Sequence, residues 1–219
     1  MGAIRGSQLS EPAISISEHV YRSLKQDILT GDMPPGVRLI VTEIGRRFSI
    51  SQAPVREALE RLKQEGLIVG IPNKGSVVSS ITAKEIRDIF VLRELIECFA
   101  VRQIIGTLTV EDYRTLESLI TEMDLASRVR EPFRILELDM DFHEFFYMKC
   151  GNQAILELWG RLRTKVMRFM AISNRHHSTD KLAEWHTKLV ETLKAGDPLL
   201  AEQAFIEHMH AYKMISIDE

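Results

Sequence analysis

The sequence predicts a mainly α protein in two parts. Three helices closed by a β-hairpin come first, and an antiparallel all-α bundle of six helices or seven follows. Three observations predict it. Val55, Leu59 and Leu62 recur at helical spacing, ahead of two β-rich runs that flank Pro72-Asn73-Lys74-Gly75. β signals then stop at Thr82. Beyond it, six apolar-periodic stretches are separated only by short breaks, which favours antiparallel neighbours.

The 219 residues suffice for one large domain or two modest ones. We expect a loose leader over 1–14, a first domain over 15–80 and a second over 81–219. Hydrophobic content of 45% and charge of 27% are those of an ordinary soluble protein. No apolar run approaches a membrane span, and Met1 to Ser10 lacks the apolar core of a signal peptide. Cys98 and Cys150 lack metal spacing and are expected as buried thiols in a reducing cytoplasm. The net charge is −3, but residues 1–80 carry ten Lys+Arg against eight Asp+Glu. That small basic excess at the front is compatible with a nucleic-acid partner, because the placement of charge matters more than its total.

Taken in order, Ser15-Ile16-Ser17-Glu18 reads as a capping box opening a helix. Val20, Leu24 and Ile28 form its apolar stripe, and Gly31 to Gly36 turns the chain. A second helix covers Val41 to Phe48, with Ile44 and Phe48 inward. Ser49-Ile50 then makes a tight turn. Ser51 is a candidate N-cap for the third helix, and Pro54 falls in its first turn, where a missing N–H costs nothing. Val55, Ala58, Leu59 and Leu62 face inward, while Gln52, Ala53, Arg56 and Glu60 face away. Gly66 closes this helix. The hairpin follows, Leu67 to Ile71 and Ser76 to Ser79, with Asn73, Lys74 and Gly75 at its tip. Three helices and a hairpin describe a winged helix-turn-helix, whose third helix enters a major groove by its N-terminus.

The spaced motifs Gly31…Pro35-Gly36…Leu39, Ser51-Gln52-Ala53-Pro54-Val55-Arg56-Glu57-Ala58-Leu59…Leu62…Glu65-Gly66-Leu67 and Pro72-Asn73-Lys74-Gly75 resemble the GntR family of bacterial transcription regulators. The resemblance implies DNA contacts from Ser51, Gln52, Ala53, Arg56, Lys74 and Gly75, and from Thr42 in the preceding helix. Three positions depart from the family pattern. Gln52 stands where arginine is frequent, so an adenine edge is expected in place of guanine. Gly45 replaces a usual alanine, at about 1 kcal/mol of helix propensity. Ser49 occupies a position where glycine is common.

In the second part the helical stretches run Ala83–Ile105, Thr109–Ser127, Pro132–Lys149, Asn152–Asn174, Thr179–Ala195 and Pro198–Ile215. Asp139 and His143 are four apart and share a face with Leu136, Met140 and Tyr147. His186 lies in line with Leu182, Leu189 and Leu193, and His208 with Ala201, Ala204, Phe205 and Tyr212. Any one of these imidazoles alone reads as a core histidine bonded to a neighbour. Three on three apolar stripes, with a carboxylate, are better explained by a divalent metal: Zn, Ni, Mn or Fe. His210 falls off its stripe, Asp141 points elsewhere, and His176 and His177 lie in a loop.

This constellation, with Arg93 and Glu97, Gly151-Asn152 and Gly196-Asp197, resembles the FCD subfamily of GntR regulators. The resemblance implies a metal held by Asp139, His143, His186 and His208, with a cavity beside it for a small organic acid. The metal could take one carboxylate oxygen of that acid, and Arg93 is the candidate to hold the rest by its guanidinium fork. A surface ion pair with Glu97 is the competing reading. Asn174 and Arg163 are weaker candidates, since solvated polar residues explain both. The expected protein is therefore a homodimeric repressor, not an enzyme, that reads a palindromic operator and responds to a small carboxylate. A regulator that senses the metal itself, or one with a purely structural metal, is the alternative. A metal-dependent enzyme using Glu144 or Glu137 as base is remote, because no phosphate loop, nucleophile elbow or HExxH run is present.

Overall fold

The structure is a computed structural model that describes residues 15–71, 75–176 and 181–210. The expected leader, the hairpin-tip residues Asn73 and Lys74, and the last helix beyond His210 lie outside the described residues.

The front part opens with α1, Ile16–Thr30. Ser15 caps it by accepting from the Glu18 N–H at 3.1 Å, and Gly31 ends it at φ +88°. The expected capping box is only half formed. The Glu18 carboxylate turns instead to Arg22 and Arg61, each at 2.5 Å. The second and third helices are α2, Val41–Phe48, and α3, Gln52–Gln64. The turn between them is tight. Ser49 takes the left-handed conformation at φ +56°, and the Ile50 N–H bonds the Gly45 carbonyl at 2.9 Å. A Cβ at Gly45 would lie 3.1 Å from the Ile50 carbonyl oxygen, so this glycine has a steric reason that offsets its propensity cost. Val55, Ala58, Leu59 and Leu62 pack α3 against α1. Ser51 is the N-cap residue of α3, but contrary to expectation its hydroxyl makes no capping bond.

The hairpin forms from β2, Ile68–Ile71, and β3, Gly75–Val78. A strand the sequence reading missed, β1 at Arg38–Leu39, adds to the other edge of β3, giving an antiparallel sheet of order β1-β3-β2. Two residues are too few to show any alternation.

The bundle comprises α4 (Ala83–Ile104), α5 (Val110–Arg128), α6 (Pro132–Lys149), α7 (Gln153–His176), α8 (Leu182–Ala195) and α9 (Pro198–His210). The bundle thus has six helices among the described residues. Capping boxes, Thr82 with Glu85 and Thr109 with Asp112, start α4 and α5. α6 is buried almost all round, by Ile135, Leu138, Phe142 and Phe146 among others, and packs against α4, α5 and α7. An all-round apolar helix belongs at the centre of a bundle. α8 packs on α5 and α9, and α9 on α4. Those contacts bring α4, α6, α8 and α9 around one point. α1 docks the front part onto α6 and α7.

Cys98 is buried, and burial followed by nearby carboxylates pushes its thiol up to about 12. Cys150 is only half-buried, because it caps the C-terminus of α6. No helix among the described residues is long and apolar enough to cross a membrane.

Candidate metal centre and nucleic-acid interface

Asp139 and His143 stand one turn apart on α6, His186 on α8 and His208 on α9. Donor atoms of all four lie within 4.8 Å of one another. His208 Nε2 is 3.3 Å from His143 Nε2, and Asp139 Oδ1 is 3.0 Å from His186 Nε2 and 3.7 Å from His143 Nε2. Bonds of about 2.1 Å to a shared ion put neighbouring donors about 3.0 Å apart in an octahedral site and about 3.4 Å in a tetrahedral one. The residues present therefore fit a divalent metal. Asp139 Oδ1 and His186 Nε2 are fully buried without a hydrogen-bond partner, because their close approach lacks hydrogen-bond alignment. Orphaned buried polar atoms cost about 1–3 kcal/mol each, a penalty that a cation between them removes.

The back of the site is built as carefully as its front. His186 Nδ1–H donates to the Leu182 carbonyl at 2.8 Å, and His143 Nδ1–H donates to Glu97 Oε1. Each bond fixes the tautomer whose Nε2 lone pair faces inward. Glu97 also accepts from Tyr147 Oη at 2.6 Å and from Arg93 Nε at 3.1 Å. The expected surface pair of Arg93 and Glu97 is thus a buried pair, with side chains only 3% and 0% exposed. Arg93 Nη2 is buried without a partner, a free arm of the guanidinium fork.

Electrostatics favour the donor forms of Asp139, His143 and His208. Burial would raise Asp139, but His186, His143 and Arg93 hold its carboxyl well below the usual range. Burial would likewise raise Glu97, which His143 and Arg93 bring down to about 2. Burial, joined by Arg93, lowers His143 despite Glu97. Burial and the two neighbouring imidazoles push His208 well below its ordinary value. Neutral imidazole with ionised aspartate is the combination that a metal requires.

Other candidates are placed elsewhere. Arg163 pairs with Asp141 at 2.5 Å and Glu144 at 3.4 Å. Asn174 is half-buried in the last turn of α7. His210 pairs with Glu94 at 2.7 Å. Glu144 accepts from Trp159 Nε1 at 3.1 Å, Glu137 pairs with Arg134 at 3.7 Å, and neither belongs to the donor group. The sequence reading missed the hub formed by Glu97 and Tyr147, because i,i+4 spacing on α4 looks the same for a surface pair.

At the other end of the molecule, Thr42, Ser51, Gln52, Ala53 and Arg56 are all exposed. Thr42, Ser51 and Gln52 line one shallow hollow, and so does Arg46, one turn after Thr42, which the sequence reading passed over. Arg56 Nη2 donates to Gln52 Oε1 at 2.9 Å, so the two long side chains are held together on the outer face of α3. The free Ser51 hydroxyl adds a donor there. Gly75 begins β3 at φ +81°, while Lys74 lies outside the described residues.

Comparison with known proteins matches both parts of the chain. The family model for bacterial regulatory proteins of the gntR family matches residues 16–78, and that of the FCD domain matches residues 88–211. The transcriptional repressor RspR of Escherichia coli K12 is 28% identical, over 90% of this chain and 87% of its own length. A probable D-xylose utilization operon repressor of Paenarthrobacter nicotinovorans is 28% identical, over 90% and 87%. The gluconate operon repressor of Bacillus subtilis is 25% identical, over 87% and 80%. Among solved structures, Escherichia coli McbR/YncC shares the fold with a TM-score of 0.74 at 22% identity, covering 92% of this chain and 96% of its own.

Proposed function

The chain belongs to the gntR family of bacterial regulatory proteins and carries an FCD domain, and from that premise we propose a repressor whose operator affinity is set by a small carboxylate bound beside a divalent metal. The four-donor cluster of Asp139, His143, His186 and His208, with its two orphaned atoms, carries this reading. The metal is Zn, Ni, Mn or Fe, and when bound it supplies a Lewis-acid position for one carboxylate oxygen. The free arm of Arg93 takes a second oxygen of the acid, with Asn174 as a further contact. The acid must bind one arrangement of the reading heads better than the other, or nothing shifts.

Thr42, Ser51, Gln52, Ala53, Arg56, Lys74 and Gly75 make up the proposed DNA surface, joined by Arg46. Two copies, paired through the domain over 81–219, present two such surfaces to a palindromic operator in the cytoplasm. The first domain spans 15–80. The test is metal analysis of the purified chain, followed by operator selection and gel shifts with a panel of carboxylates. An acid that binds tightly without changing DNA affinity would overturn the reading. A structural metal is the second reading, favoured by the way the cluster ties α6, α8 and α9 together. Chelator that lowers the melting temperature yet leaves operator affinity and the acid response intact would establish it.

A further inference from the structure

Two side chains of α7, one helical turn apart, reach out of the bundle and hold the base of the reading head. Thr164 Oγ1 donates to Glu65 Oε2 at 2.9 Å and accepts from Lys25 Nζ at 3.2 Å. Glu65 is the C-cap residue of α3, and it also accepts from Lys25 at 2.7 Å and from Tyr21 Oη, both on α1. Arg168 donates through Nη1 to Ser79 Oγ at 2.5 Å and through Nη2 to the Ser79 carbonyl. Ser79 in turn donates its hydroxyl to the Gly66 carbonyl and its N–H to the Leu67 carbonyl at 3.0 Å. The exit of α3 and the exit of β3 are therefore tied to each other and to one rod. Thr164 and Arg168 are both buried.

The same rod touches the back of the metal cluster. The Trp159 ring lies 4.8 Å from that of Tyr147, and the Arg93 guanidinium lies 5.8 Å from Trp159. Phe169, next to Arg168, meets Phe90 edge-on at 5.0 Å, and Arg93 lies 5.6 Å from Phe90. Tyr147 and Arg93 are both partners of Glu97, which holds His143.

We propose that Thr164 and Arg168 are positioning residues for DNA recognition, fixing the attitude of α3 on the bundle and passing the occupancy of the metal cluster to it through α7. Two grips one turn apart set orientation as well as position. Hydrogen bonds weaken steeply past about 3.2 Å and as angles degrade, so a small rotation of α7 cannot keep both grips. The first half of the proposal rests on the family and this geometry, and the second half also rests on the metal reading above.

Amide hydrogen exchange on the full chain, after chelation and then with Zn2+ restored, tests both halves. Thr164→Val should speed exchange in α1 and α3 about tenfold, the worth of one buried hydrogen bond, and leave the bundle unchanged. Thr164→Ser should restore the wild-type rate. Zn2+ should slow α3 at least threefold in the wild-type chain, along with α6, α8 and α9. In Thr164→Val and Arg168→Gln it should slow the bundle alone. Unchanged α1 and α3 exchange in both variants would overturn the grip. Zinc protection of α3 that survives in both would overturn the relay. Zn2+ without effect on α6, α8 and α9 of the wild-type chain would end the metal reading and the relay together, and the zinc-free comparison would still decide the grip.

Discussion

Replacing Glu97 by Gln isolates the charge at the centre of the bundle. The side chain keeps its volume, but Arg93, at 3% side-chain exposure, then loses its paired carboxylate and keeps only Asp139 as a nearby counter-charge. Removing one partner of a buried pair costs about 3–5 kcal/mol. Each kcal/mol moves the melting temperature of a chain this size by about 2–4 °C, so Glu97→Gln should melt about 6–20 °C lower. Metal affinity should fall about 10- to 100-fold, because His143 loses the carboxylate that orients and polarises it. The assays are thermal melts of chelator-treated protein and a competitive Zn2+ titration. Adding Arg93→Met should recover part of the stability, since neither member of the buried pair then remains, while metal affinity stays low. A Glu97→Gln chain melting within about 2 °C of the wild type would refute the buried-pair argument.

Further outcomes are expected. Ser49→Gly should raise stability by up to about 1 kcal/mol, read from denaturant midpoints, because Ser49 holds a left-handed φ of +56° that glycine adopts freely. Arg56→Ala should weaken a selected operator by about 1–3 kcal/mol in gel shifts, and Gln52→Arg should move base preference toward guanine at one position of each half-site. Burial would raise Glu65, but Lys25, Tyr21 and Thr164 bring it below the ordinary carboxylate value. A lowered carboxylate contributes stability that is complete above about pH 4.5 and is lost as pH falls through the folded value. Exchange in α1 and α3, taken relative to the intrinsic amide rate at each pH, should therefore lose protection below about pH 4.5 in the wild-type chain, and Glu65→Gln should flatten that response.

The elements that local patterning decides were legible. Helix spacing and breaker residues placed α6 at its observed bounds and the other described helix ends within a few residues, where assignments differ in any case. That Asp139, His143, His186 and His208 come together was legible, because each imidazole interrupts an apolar stripe where a polar group needs a reason. What escaped depends on which helices meet. The spacing of Arg93 and Glu97 says nothing about α4 lying against α6, so burial of the pair and the roles of Glu97 and Tyr147 were hidden. The free Ser51 hydroxyl escaped for the opposite reason: residue type predicted a local bond that the side chain does not make. Thr164 and Arg168 are ordinary polar residues on a long helix until the reading head is laid against them.

The chain has two tryptophans, Trp159 and Trp185, and the fold gives them different surroundings. Trp159 is sealed between Tyr147 and Glu144, whereas Trp185 is about 41% exposed and next in sequence to His186. Their emission should separate into a blue component from the dry interior and a red one from the wetted surface. A paramagnetic ion seated at the imidazoles would quench through space, and the relative dimming of the two colours would locate it without any label.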